Sequence, residues 1–83
     1  MERYYFHTED GRACRDEEGT ELPSLVAARV EAVRVLGDIL KEDPGEVLRT
    51  GVLRVTVTDK AGLIFFALDL SAIDTAAERP VSS

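Results

Sequence analysis

The stretch from Ser24 to Glu42, SLVAARVEAVRVLGDILKE, constrains the fold more than any other part of the chain. Apolar residues recur at Leu25, Ala28, Ala32, Val35, Leu36 and Ile39, and a second row recurs at Val26, Val30, Val33, Gly37 and Leu40. Both rows follow the spacing of an α-helix. Ser24 stands where an N-cap belongs, and Asp43-Pro44-Gly45 supplies a stop, because proline cannot continue a helix and glycine permits a reversal. Glu31, Arg34, Asp38 and Lys41 form a narrow polar stripe, at spacings of three and four that favour ion pairs on a solvated face. A helix with two apolar rows asks for two partners. One is the domain's own sheet; the other is read as a second copy of the chain.

Hairpin patterns lie on both sides of this helix. Arg3–Thr8 alternates, with Tyr4 and Phe6 on one face and Tyr5 and His7 on the other. Asp10-Gly11 then suits a two-residue type I′ turn into a short strand from Arg12 to about Arg15. After the helix, Leu53, Val55 and Val57 alternate with Arg54, Thr56 and Thr58, and DKAG leads into the apolar strand Leu63–Leu70. A four-residue loop, Asp59–Gly62, pairs Val57 with Ile64, Val55 with Phe66 and Leu53 with Leu68. A three-residue loop with a bulge would instead turn Phe65 and Ala67 inward. We prefer the first, because it gathers the inward residues of both strands on one face. Ile73 then ends the ordered domain, residues 1–73, and 74–83 read as a frayed tail.

The order β-β-α-β-β gives an α+β, two-layer domain: a four-stranded antiparallel sheet with one long helix across one face. Strand order 2-1-3-4 keeps all neighbours antiparallel. With 83 residues the chain makes one domain and a small core. It has no apolar run of membrane-spanning length and no secretory signal at its start, and its single cysteine, Cys14, excludes an internal disulfide. These features predict a cytoplasmic protein. Sixteen acidic against ten basic residues give a net charge of -6. Nucleic-acid affinity rests on neutralising phosphates with Lys and Arg, so binding of DNA or RNA by this chain alone is not expected, nor is attraction to anionic membranes.

In order, Tyr4–His7, Asp10-Gly11, Asp16–Gly19, the helix start Leu22, Pro23, Leu25 and Ala28, and the final turn Val57, Asp59 and Gly62 form a recognisable series. It resembles a family of small domains of unknown function, abundant in alphaproteobacteria, over roughly residues 3–70. The resemblance implies a single-domain bacterial cytoplasmic protein and carries no activity with it.

The candidate chemistry is sparse. His7 is the only histidine. The two-residue turn would set it opposite Cys14, with Cβ atoms about 4.5–5.5 Å apart. An imidazole held against a thiol favours the reactive thiolate, so His7 and Cys14 are the candidates for a catalytic or redox-sensing site. The competing account makes His7 a structural hydrogen-bonding group and Cys14 a small apolar filler. Asp16, Glu17, Glu18 and Glu21, with Glu9 and Asp10, lack the alternating pattern of a calcium loop, and one His with one Cys cannot supply a zinc tetrad. They read as a solvated acidic loop before the helix N-terminus. The six glycines form neither a dinucleotide nor a phosphate-loop motif. No metal or cofactor is therefore expected.

The surplus apolar surface points to an interface, with Leu25, Ala28, Ala32, Val35, Ile39, Leu63 and Phe65 as its candidate residues. The leading expectation is a non-enzymatic homodimer that binds a protein or ligand in a regulatory role, with an unidentified protein partner in addition to the second copy. The alternatives are the His7 and Cys14 site and an antitoxin-like module associated with nucleic acid.

Overall fold

Ser24 caps the long helix as its position anticipates. In the computed structural model, which describes residues 1–74, its hydroxyl accepts the Ala27 N–H at 3.1 Å and helix α1 runs from Leu25 to Glu42. Three strands precede it, β1 (Glu2–Glu9), β2 (Ala13–Cys14) and β3 (Thr20–Leu22). Helix α2 (Pro44–Thr50) and strands β4 (Val52–Thr58) and β5 (Ile64–Ser71) follow. The fold is α+β with an antiparallel sheet, but the described residues form five strands and two helices where four and one are expected. The main strand order, β2-β1-β4-β5, matches the expected 2-1-3-4, and β3 adds to β1 beside β2. The expected tail, apart from Asp74, lies outside the described residues.

The additional elements have local causes. Pro44 does end α1, since the residue before a proline is pushed to extended backbone and Asp43 takes φ -143°. It then serves as the first residue of α2, a position whose N–H has no helical partner in any case. Gly45 therefore lies inside a helix instead of reversing the chain. The reversal falls to Gly51, whose N–H reaches the Val47 carbonyl at 2.7 Å. Strand β3 is three residues long and pairs with Glu2–Tyr4, too short to show alternation of its own.

The core lies between α1 and one sheet face. Leu53, Val55 and Val57 of β4 are at most 1% exposed, and Tyr4 and Phe6 of β1 are buried beside them. The helix contributes Ala28 and Ala32, both fully buried, with Leu25, Val35 and Leu36 packed around the cluster. Small residues at the centre of the contact let the helix backbone approach while the sheet supplies the bulk. Of the expected interface residues, Ala28 and Ala32 are therefore core, Leu25 and Val35 pack onto it, and Ile39 is half-buried. The row left outside is the other one: Val26, Val30 and Val33 are 67%, 51% and 54% exposed. A helix on a single sheet can bury only one row, and the row with alanines at its centre sits closer.

The β4–β5 register differs from the expected one by two residues. Val57 pairs with Phe66, Val55 with Leu68 and Leu53 with Leu70. The turn is longer than four residues because Asp59 organises it, its carboxylate accepting the Ala61 and Leu63 N–H groups at 2.8 and 2.9 Å. Thr58 pairs with Ile64, and the irregularity between Val57 and Thr58 leaves Phe65 as the extra residue. A shift of two keeps the faces, so Phe66, Leu68 and Leu70 still turn towards the helix.

Truncating Leu53 to alanine should cost about 2–5 kcal/mol in urea denaturation, whereas Val26→Ala should stay within about 0.5 kcal/mol.

Candidate functional site

Strand β1 has β4 on one side and an interrupted edge on the other. Strand β3 pairs with Glu2–Tyr4 and β2 with Thr8 and Glu9, which leaves Phe6 in the gap. Its N–H needs an acceptor. Asp16 supplies one, with Oδ2 at 3.1 Å. The other carboxylate oxygen accepts the Glu18 and Gly19 N–H groups, both at 3.1 Å, and closes the D-x-x-G loop on itself. Gly19 is required there. Its φ is +72°, and a Cβ would stand 2.8 Å from Arg3 Cγ and 2.9 Å from Tyr5 Cε2.

The same aspartate reaches His7. Its backbone N–H donates to Nδ1 at 3.0 Å. In the neutral ring the proton is then on Nε2, which lies 3.0 Å from Thr58 Oγ1. That hydroxyl is used as a donor in turn, to the Asp59 carbonyl at 2.9 Å. Thr58 is 4% exposed, and among the described residues no buried side-chain polar atom lacks a partner. Both imidazole nitrogens are thus engaged. Burial raises the Asp16 carboxyl, but the Phe6, Gly19 and Glu18 N–H groups, with a smaller electrostatic contribution from the neighbouring His7, outweigh it and hold the group below its usual range.

Cys14 does not join this network. The β1–β2 register pairs Thr8 with Cys14 and Glu9 with Ala13, one residue from the expected pairing, so Cys14 is not opposite His7. The turn takes three residues, Asp10–Arg12, because Gly11 adopts φ +100° as its single left-handed residue, where a type I′ turn needs two. On the β4 side His7 pairs with Thr56.

The sheet face away from α1 carries cross-strand rows. Tyr5, Thr58 and Ile64 form one, His7, Thr56 and Ala67 the next, and Glu9, Arg54 and Asp69 the third. Arg54 grips Asp69 through two hydrogen bonds at 2.6 and 2.9 Å and holds its carboxyl below the usual range. An open cleft of about 210 Å³ beside His7 is lined by Tyr5, Arg15, Asp16, Glu17, Asp59 and Lys60. Another, of about 270 Å³, is lined by both His7 and Cys14, with Thr56 and Ile64. Among the described residues no group of three or more His, Cys, Asp or Glu is arranged to hold a metal ion. No helix among them is long and apolar enough to cross a membrane.

Exposed apolar side chains outside the α1 row include Met1, Leu48, Val52 and Ile73, and a group at the turn into β5. Leu63 and Ile64 are 61% and 62% exposed, and Phe65 is partly exposed with its ring edge-on to Tyr4 at 5.8 Å. Leu63 and Phe65 are thus the two expected interface residues that face solvent. The partners of His7 escape a reading based on strand pairing, because Asp16 acts through its backbone N–H and Thr58 is 51 residues away. The D-x-x-G spacing is the one local signal for Asp16.

A family model described as "Domain of unknown function (DUF6894)" matches residues 3–71. No curated protein and no solved structure matches the chain.

Replacing Asp16 by asparagine keeps one acceptor oxygen but turns an amide donor towards the Phe6 N–H or the loop. It should cost about 1–3 kcal/mol at neutral pH in chemical denaturation. Because the folded carboxyl titrates below its ordinary value of 3.8, its contribution is complete above that value and is lost as the pH falls through the lower folded one. The gap between Asp16→Asn and the native chain should therefore narrow on acidification below about pH 4.

Proposed function

The chain belongs to the DUF6894 family of domains of unknown function, and within it we propose a small non-enzymatic module that pairs with a second copy of itself and acts by binding a protein or ligand in a regulatory role. The observation that carries this reading is the valine row of α1. Val26, Val30 and Val33 lie at successive helical turns and are each more than half exposed. Exposed apolar rows of this kind are characteristic of interaction surfaces. The row is rimmed by polar residues, among them Arg34, which pairs with Glu31 at 3.1 Å, and such a rim around an apolar centre is the usual anatomy of an interface.

The state of His7 supports binding over chemistry. A general base needs a free nitrogen within reach of a substrate proton, and both of its nitrogens are spent on Asp16 and Thr58. The net charge of -6 argues against a nucleic-acid partner and against anionic membranes. We assign the module to a bacterial cytoplasm: Cys14 is free and exposed, which suits a reducing compartment, and the Tyr4–His7 and Asp16–Gly19 motifs resemble those of alphaproteobacterial domains.

Light scattering at micromolar concentration should give about twice the 9.1 kDa chain mass. Val30→Glu should give the monomer mass with an unchanged circular dichroism spectrum. A native chain that stays monomeric throughout the micromolar range would reject the pairing.

A further inference from the structure

Strand β5 is the last strand of the sheet, and among the described residues nothing pairs with its outer side. Natural sheets protect such edges with short strands, lysines, prolines or bulges. Here the protection is confined to one end, at Phe65. Beyond it Phe66–Leu70, FALDL, has neither proline nor lysine, and its one charge, Asp69, is held by Arg54. The apolar layer is also incomplete on this side. Val57, Val55 and Leu53 are fully or almost fully buried, while their partners Phe66, Leu68 and Leu70 are only half-buried.

Two valines of the α1 row flank the helix residue that reaches this strand. Arg29 of α1 stacks over the Phe66 ring at 5.4 Å, so the Arg29 side of the helix is its β5 side. Val26 and Val33 lie three residues before and four after Arg29, which makes them its neighbours on the helix surface. Among the described residues, the unpaired edge and the half-covered layer therefore lie on the Arg29 side of α1, where Val26 and Val33 flank Arg29.

We infer that β5 pairs antiparallel with β5 of a second copy, so that two five-stranded sheets join into one with both α1 helices on the same face. The inference rests on the self-pairing proposed above and names its mode. A second copy suits this surface because it offers what the edge lacks: a free row of backbone donors and acceptors, and the same half-covered apolar row on the same side. Register follows from charge. Centring the twofold axis on Leu68 sets Phe66 opposite the partner's Leu70 and Asp69 opposite the partner's Ala67. Centring it on Asp69 would oppose two carboxylates directly, which is unfavourable. The Leu68 centre also uses only the regular part of the strand beyond Phe65.

The test is hydrogen exchange on the unmodified full chain, at one concentration where light scattering shows dimer and at another where it shows monomer. Amides within 66–70 that are free in the single chain should exchange roughly tenfold or more slowly in the dimer. A dimer whose 66–70 amides are insensitive to dilution overturns the β5 pairing while leaving self-association intact. A chain that is monomeric at every concentration overturns both. Register is read separately. In a Cys14→Ser background, Leu68→Cys should give a covalent dimer on mild oxidation and Val30→Cys should not. A folded Leu68→Cys chain that remains uncrosslinked, or crosslinking at Val30→Cys alone, rejects the Leu68 centre. If Leu68→Cys is unfolded by circular dichroism, the same readout passes to an equimolar mixture of Ala67→Cys and Asp69→Cys chains, where absence of the mixed disulfide rejects it.

Discussion

A strand cannot leave an N–H without an acceptor in the middle of a partly buried edge, and the first half of this molecule is organised around meeting that need at Phe6. Two short strands flank the gap and one carboxylate fills it. Asp16 does so by accepting three backbone N–H groups and offering its own to His7. The acidic run before the helix is therefore more than a solvated connector. Its first residue joins β1, the loop and the His7 ring, and the rest of the run is free to be charged and exposed. The position of Gly19 follows from the same closure, since the loop brings it against Arg3 and Tyr5 with no space for a side chain.

His7 gains its role from this arrangement. An isolated histidine in a strand invites a catalytic reading because its ring can both take and give a proton. Here a backbone donor occupies one nitrogen and a buried threonine the other, and the hydroxyl passes the chain of hydrogen bonds to a carbonyl. The ring spans β1, the Asp16 loop and the end of β4 as a hydrogen-bonded bridge. Polar chains with every member satisfied are specific to one geometry, because shifting any member strands its neighbours without partners.

Much of the architecture was legible in local pattern. The α1 boundaries, the Ser24 cap and the two antiparallel hairpins follow from periodicity and turn residues, and the strand order from keeping all neighbours antiparallel. What was not legible depended on contacts between distant segments or on elements too short to have a period. Asp10-Gly11 is compatible with loops of two or three residues; the shorter one would set His7 against Cys14, and the three-residue turn at Gly11 sets Thr8 there instead. Strand β3 and helix α2 span three and seven residues and carry little periodic signal. Two apolar rows on α1 were plain, but their assignment to core or solvent depended on side-chain volume, which favours Ala28 and Ala32 for the close approach. The partners of His7 were hidden because a backbone N–H leaves no trace in residue type, although Asp16 itself was marked by its spacing from Gly19.

The pairing of β1 with β4 has a consequence for how the molecule is made. Tyr5–Glu9 takes its central partners from Arg54–Thr58, so the sheet joins the start of the chain to its last third. During synthesis the N-terminal strand leaves the ribosome first and must wait for α1, α2 and β4 before Phe6 finds Val57 and His7 finds Thr58. Until then Tyr4 and Phe6 have at most the nascent α1 to cover them. A chain interrupted between α1 and β4 would lose the middle of its sheet. This small domain therefore reaches its native pairing only after its last strands have been synthesised.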